Sequence, residues 1–184
     1  STTCCNLATA CARTGQRTLL IDFDLRRPRI GGIFPIPNGH QGLLEYLASS
    51  NTQPQDIAYA SGSDNLDIMA SRVSGEARPA ELVGGGKVVD LLAWARANYE
   101  RVIIDAPPLG IVSDALSLAG QVDCVLVMAR PGTSRQRAVR HTIRRFRDVG
   151  ISALAVVMND VDHSKFANHG YGPYYHYHKH YHSY

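Results

Sequence analysis

The chain has 184 residues, 45% of them hydrophobic and 19% charged, with a formal net charge of +3. That length buries a substantial core as one soluble globular domain, and the charge is too small to argue for a nucleic-acid partner. No apolar run approaches the length of a membrane span and no signal peptide is visible.

Ser1, Thr2 and Thr3 open a stretch of small and apolar residues that reads as a helix, with Gly15 as its C-terminal stop. Cys4, Cys5 and Cys11 lie within it. Together with Cys124 they fit no disulfide framework or zinc spacing, so buried, reduced thiols of a cytosolic protein are expected. Thr18 to Asp22 is an apolar run of strand length, with Asp24, Arg26 and Arg27 just beyond, and a Pro/Gly-rich connection runs from Pro28 to Gly42. Gly42 to Ala48 reads as a short helix, Leu66 to Ala70 as a strand and Arg72 to Pro79 as a loop. Val88, Leu91, Leu92, Ala95 and Tyr99 have helical spacing. Arg101 to Asp105 is a second acid-tipped strand, followed by a Pro-Pro-Leu-Gly turn and a helix from about Asp114. Cys124 to Ala129 is a buried strand, Ser134 to Val149 a long basic helix ending at Gly150, and Ala153 to Met158 a last strand stopping at Asn159. Strands alternating with helices predict a mainly parallel α/β sheet with helices on both faces. From His163 to Tyr184 the composition changes to six tyrosines and six histidines with almost no aliphatic residues. Such a segment lacks the apolar surface to offset ordering entropy, which predicts a mobile tail. The expected division is therefore a domain over 1–160 and a tail over 161–184.

The carboxyl ends of parallel strands open into the crevice where ligands bind. Two apolar strands delivering acids to one such edge, Asp22 with Asp24 and Asp105, suggest a Mg²⁺-dependent phosphate site, because Mg²⁺ binds through one or two carboxylates and keeps several waters. Acids at strand ends also cap the next element or pair with Arg26, Arg27 or Arg101. Three on the same edge, behind a hydroxyl-led helix start, favour the site. Helix starts attract phosphate through their dipole and free N–H groups. In the phosphate-binding loop G-x-x-x-x-G-K-[ST] the hydroxyl residue opens the helix and touches Mg²⁺. The chain begins as though cut immediately after that Gly-Lys. Gly86-Lys87 is no substitute: Glu81 stands at the first glycine position and Val88 replaces the hydroxyl.

Of the basic residues Arg130, Arg135, Arg137, Arg140, Arg144, Arg145 and Arg147, a solvated surface is the default reading. Arg130 follows a strand and is a candidate neighbour of the nucleotide; the helix beyond it could meet an acidic partner or another subunit. His176, His178, His180 and His182 alternate and would share one face of an extended strand, a rival metal-binding reading of the tail.

Leu20-Ile21-Asp22-Phe23-Asp24-Leu25-Arg26 resembles the Walker A′ motif of bacterial tyrosine kinases of the polysaccharide co-polymerase type. Val102-Ile103-Ile104-Asp105-Ala106-Pro107-Pro108 resembles their Walker B strand, and Ser1-Thr2-Thr3 the end of their Walker A loop. Tyr171, Tyr174, Tyr175, Tyr177, Tyr181 and Tyr184 resemble their autophosphorylation cluster. The first three motifs are shared with MinD- and ParA-like ATPases; the tyrosines single out the kinases. The resemblance implies a P-loop NTPase-like fold using ATP and Mg²⁺, with Ser1, Asp22 and Asp105 at the metal, Thr2 on a phosphate, Asp24 assisting the attacking hydroxyl and Asn159 where related ATPases contact adenine. It further implies a ring-shaped homo-oligomer whose subunits phosphorylate one another's tails. The expected setting is the cytoplasmic face of the bacterial plasma membrane, beside a membrane-spanning co-polymerase domain or activator and opposed by a tyrosine phosphatase, in control of exopolysaccharide or capsule export. The Gly-rich loop with its lysine and the basic upstream segment of that family are not among these residues, and a chain so cut is expected to bind ATP poorly. The alternatives are a MinD/ParA-like ATPase switch, and an inactive fragment serving as substrate or docking module.

Overall fold

The structure is a computed structural model that describes residues 1–72, 85–108 and 114–162. The tyrosines and histidines of the expected tail from 163 onward, and most of the expected 72–79 loop, lie outside these residues. The chain divides into two compact units, Ser1–Gln121 and the part from Val122 onward, each described by itself.

The first unit is built on β1 (Thr18–Asp22), all five residues of which are buried. It lies at the inner position of a four-stranded sheet, between β3 (Leu66–Met69) and β4 (Arg101–Asp105), parallel to both. A two-residue β2 (Tyr59–Ala60) adds to β3 in the antiparallel sense. Strand alternation sends the β1 side chains to two different cores. Leu19 and Ile21 join Phe23 and the apolar faces of α3 (Leu43–Ala48) and α4 (Gly86–Asn98). Leu20 turns the other way, into a cluster with Cys5, Ala8 and Ala12 of α1 (Thr2–Arg13). Helices thus cover both faces of β1, which is why its run is continuously apolar rather than alternating. Each such fully buried aliphatic side chain contributes about 2 kcal/mol of transfer free energy.

Local chemistry explains the boundaries. Helix α1 stops where Gly15 takes φ +85°, a conformation glycine adopts without cost. Helix α3 starts at Gly42, whose N–H donates to the Glu45 carboxylate at 2.9 Å. A Cβ at Gly42 would stand 2.8 Å from the Ala70 carbonyl oxygen, so the close approach of α3 to the end of β3 requires glycine there. Lys87 donates to the carbonyls of Tyr46 and Ser49 at the end of α3. Its ammonium therefore serves a helix C-terminus, in keeping with Gly86-Lys87 not being a phosphate loop.

Two elements escape the sequence expectation within the connection 28–42 and after it: α2 (Ile30–Ile33) and β2. A further short 3₁₀ turn forms at Pro54–Asp56. The unit also contains α5 (Asp114–Ala119). The second unit holds β5 (Val125–Ala129) and β6 (Leu154–Met158), paired in parallel, and the basic α6 (Gln136–Asp148) between them. Cys124 is exposed rather than buried as expected, while Cys5 is buried and Cys4 and Cys11 are intermediate; all four are free thiols. No helix among the described residues is long and apolar enough to cross a membrane.

Candidate active site at the carboxyl edge of the sheet

Asp22 and Asp105 are register partners across β1 and β4, so both carboxylates leave the sheet side by side. The pairing continues one step, with the Phe23 N–H donating to the Asp105 carbonyl at 2.8 Å. Asp22 is 0% exposed and Asp105 7%.

The two acids differ in what holds them. Asp22 Oδ2 accepts from the backbone N–H groups of Arg29 and Ile30, both at 2.9 Å, and Oδ1 accepts from the Asp24 N–H at 3.3 Å. It thereby caps the turn leading into α2. Its partners are backbone groups rather than the guanidinium of Arg27 or Arg101. Burial pushes its carboxyl up to about 6; the three N–H donors oppose that shift and the neighbouring Asp105 adds to it. Asp105 Oδ1 lies 3.2 Å from the Ser1 backbone nitrogen and accepts from the Cys4 thiol at 3.5 Å. Its Oδ2 is buried and has no hydrogen-bond partner among the described residues. An orphaned carboxylate oxygen next to a second buried carboxylate is electrostatically costly and fits a bound cation. Among the described residues no group of three His, Cys, Asp or Glu side chains converges as a cage. Two acids and a hydroxyl helix start suit Mg²⁺, which shares its shell with water and phosphate.

Asp24 lies past the strand end, half-buried, with Oδ1 accepting from the Arg27 N–H at 3.1 Å. Ser1 and Thr2, at the α1 start, are exposed. The first unit therefore brings Ser1, Asp22 and Asp105 together, with Thr2 and Asp24 on adjoining segments. Arg130 and Asn159 belong to the second unit. There Arg130 Nε pairs with Asp160 Oδ2 at 2.8 Å, and the Asn159 N–H donates to the Ala129 carbonyl at 2.8 Å.

Sequence reasoning missed Cys4, treating it only as a core thiol. Burial first, and then Asp105, push that thiol up to about 12, so it stays protonated as a donor. The available signal was helical phase: Cys4 follows Ser1 by three positions and shares its face. A cleft of about 360 Å³ lined by Pro28, Gly31, Ile36, Ser71 and Arg72 includes neither acid.

Comparison with known proteins gives this edge a family context. The AAA-domain family matches residues 1–154. Tyrosine-protein kinase Etk of Escherichia coli (strain K12) is 33% identical over 155 residues, which are 84% of this chain and 21% of Etk. Tyrosine-protein kinase CpsD of Streptococcus pneumoniae serotype 4 is 29% identical over 164 residues, 88% of this chain and 70% of CpsD. The chain thus spans about a fifth of the length of Etk. Among solved structures, the VpsO kinase domain superposes with a TM-score of 0.78 at 32% identity, covering 88% of this chain and 78% of that one. The kinase domain of E. coli Etk gives 0.75 at 31%, covering 83% and 59%. MinD from Pyrococcus horikoshii OT3, solved with Mg-ADP, gives 0.67 at 19% over 84% and 61%, a likeness of fold alone. An acid-tipped parallel sheet behind a hydroxyl-led helix, matched along most of its length by these kinase domains, places the chain in the AAA-domain family with a P-loop NTPase-like fold, and within it among the bacterial tyrosine kinases.

Proposed function

We propose that the protein is an ATP- and Mg²⁺-dependent protein-tyrosine kinase that phosphorylates tyrosines of its own C-terminal cluster, Tyr171, Tyr174, Tyr175, Tyr177, Tyr181 and Tyr184, on a neighbouring subunit. The observation that carries this reading is the buried pair Asp22 and Asp105 in register, with Asp105 Oδ2 unpartnered beside the Ser1 end of α1.

In this reading Asp105, Asp22 and the Ser1 hydroxyl would hold Mg²⁺, directly or through its waters. When bound, Mg²⁺ would supply positive charge against the phosphates of ATP. Thr2 contacts a phosphate at the helix start, where free N–H groups and the dipole favour anions. The tyrosine Oη attacks the γ-phosphorus, the bond to the bridging oxygen breaks, ADP leaves, and Asp24 receives the hydroxyl proton. Phosphoryl transfer of this kind depends mainly on positioning and charge neutralisation, so a chain of closely spaced acceptors suits the site. Arg130 and Asn159 keep the nucleotide roles that the family resemblance implies.

By the same reading the subunits form a ring, beside a membrane-spanning co-polymerase domain or activator at the cytoplasmic face of the plasma membrane. There they govern exopolysaccharide or capsule export, and a phosphatase resets the tyrosines. The division at 160 separates catalytic domain from acceptor tail. Each phosphate adds about −1.5 to −2 charges, so heavy phosphorylation drives tails apart and dissociates the ring.

Full-length protein incubated with γ-labelled ATP and Mg²⁺ should label its own tyrosines. Replacement of the six tail tyrosines by Phe should remove the label. Release of labelled inorganic phosphate with no label on protein would sink the kinase reading in favour of an ATPase switch.

A further inference from the structure

Asp22 is fixed from its own loop by three backbone donors, but Asp105 has no comparable local support. Among the described residues the only side chain that donates to Asp105 is Cys4, through Sγ to Oδ1 at 3.5 Å; the Ser1 backbone nitrogen lies 3.2 Å from the same oxygen. The Asp105 backbone is pinned by its ladder bond from Phe23, which leaves the carboxylate to be oriented by contacts from α1. Cys4 lies one helical turn beyond Ser1 on the same face, while its neighbour Cys5 packs into the core with Ala8 and Ala12. The consequence is asymmetric. Oδ1 is engaged by the helix, and Oδ2, buried and unpartnered, is the oxygen left over.

We propose that Cys4 is a positioning residue: its S–H holds Asp105 Oδ1 and turns Oδ2 toward the cation site. The inference rests on the Mg²⁺–nucleotide reading above and adds a residue to it. A thiol suits the task because it is a weak donor. Beside the Ser1 nitrogen it fixes the carboxylate's orientation, and as a neutral donor it cancels none of the negative charge that a cation needs. Asp22, by contrast, spends its charge on three amides. Outer partners of metal ligands act in this way, and their loss typically lowers metal affinity by about 10- to 100-fold.

The test uses full-length protein and a readout that needs no turnover: equilibrium binding of a fluorescent ADP analogue, titrated with Mg²⁺. Cys4→Ala and Cys4→Val both remove the donor, and Val restores the volume. Both should raise the half-saturating Mg²⁺ concentration about tenfold. Cys4→Ser keeps a donor and should stay close to wild type. Thermal melting without metal reports folding of each variant separately. If Cys4 served packing alone, Val would behave as wild type and Ser would be the perturbed variant, which would overturn the inference. So would equal half-saturation in all four proteins. Nucleotide binding by wild type with no Mg²⁺ dependence would instead overturn the underlying reading, and the inference with it.

Discussion

The ends of β1 and β4 are neighbours in one sheet and carry the same side chain, yet their two carboxylates are held in opposite ways. Asp22 is tied into the loop that follows it, where Arg29, Ile30 and Asp24 supply amides from within eight residues. Asp105 is held from far away in the chain, by the start of α1, and keeps one buried oxygen without a partner. The first arrangement couples an acid to the shape of a loop. The second leaves a buried oxygen that no described protein group meets. A matched pair of strand-end acids can therefore divide the work of building a site and of binding at it.

The sharpest way to break the comparison is Asp105→Asn. Losing the charge behind the orphaned oxygen should cost about 100-fold or more in Mg²⁺-dependent nucleotide affinity and in tyrosine labelling. Metal-free stability should change little, because few protein hydrogen bonds depend on that charge. Calorimetry and label incorporation check both halves; retained labelling would remove Asp105 from the metal role.

Asp22→Asn should also lower labelling, by about tenfold to a hundredfold, but it should leave a second mark. The folded carboxyl sits at about 6 against an ordinary 3.8, so between these values the folded state keeps a proton that the unfolded chain has released. The corresponding stability is present below about pH 4 and is lost as pH rises through about 6. Metal-free wild type should therefore lose up to about 3 kcal/mol from this group across that window. Urea unfolding at several pH values should show the slope in wild type, its disappearance in the Asn variant, and a reduced slope in Asp105→Asn, which removes only the repulsion between the two acids.

A smaller effect is expected from the loop. Arg29→Pro deletes one of the two amides on Asp22 Oδ2 and places proline where φ is −127°. It should cost about 2 kcal/mol in unfolding free energy and weaken labelling through Asp22 alone. The smallest effect is expected for Asp24→Asn. A loose transition state makes little demand on a base, so labelling should fall about tenfold or less with Mg²⁺ half-saturation unchanged. A shift in the Mg²⁺ requirement would make Asp24 a metal ligand instead.

What the sequence disclosed follows from how each signal is written in it. Leu19 to Ile21 are apolar because helices cover β1 on both faces, Val102 to Ile104 are apolar but only partly buried at the sheet edge, and an acid closing each run marks the ligand edge. The α1, α4 and α6 boundaries fall within two residues of those expected, since Gly15, the 88–99 periodicity and Gly150 are local signals. The four-residue α2 and two-residue β2 are too short for any periodicity to register. Asp22's amide partners were hidden for a different reason: backbone donors carry no residue-type signature. The Cys4–Asp105 contact spans 101 positions, and only the phase of α1 hinted at it. The roles of Arg130 and Asn159 rest on family resemblance, and the tyrosine tail lies beyond the described residues.

That span has a consequence for how the protein comes into being. Parallel pairing of β1 with β4 closes a long loop, a contact whose entropy cost falls late in folding. During synthesis Ser1, Cys4 and Asp22 leave the ribosome well before Asp105 exists. A partly made chain therefore carries half of the edge and has no means of capturing the cation. Under the proposed function nucleotide and metal would stabilise only the finished sheet, so their binding would report completed folding, and labelling would begin only once the contacts of Ser1 and Cys4 with Asp105 have formed.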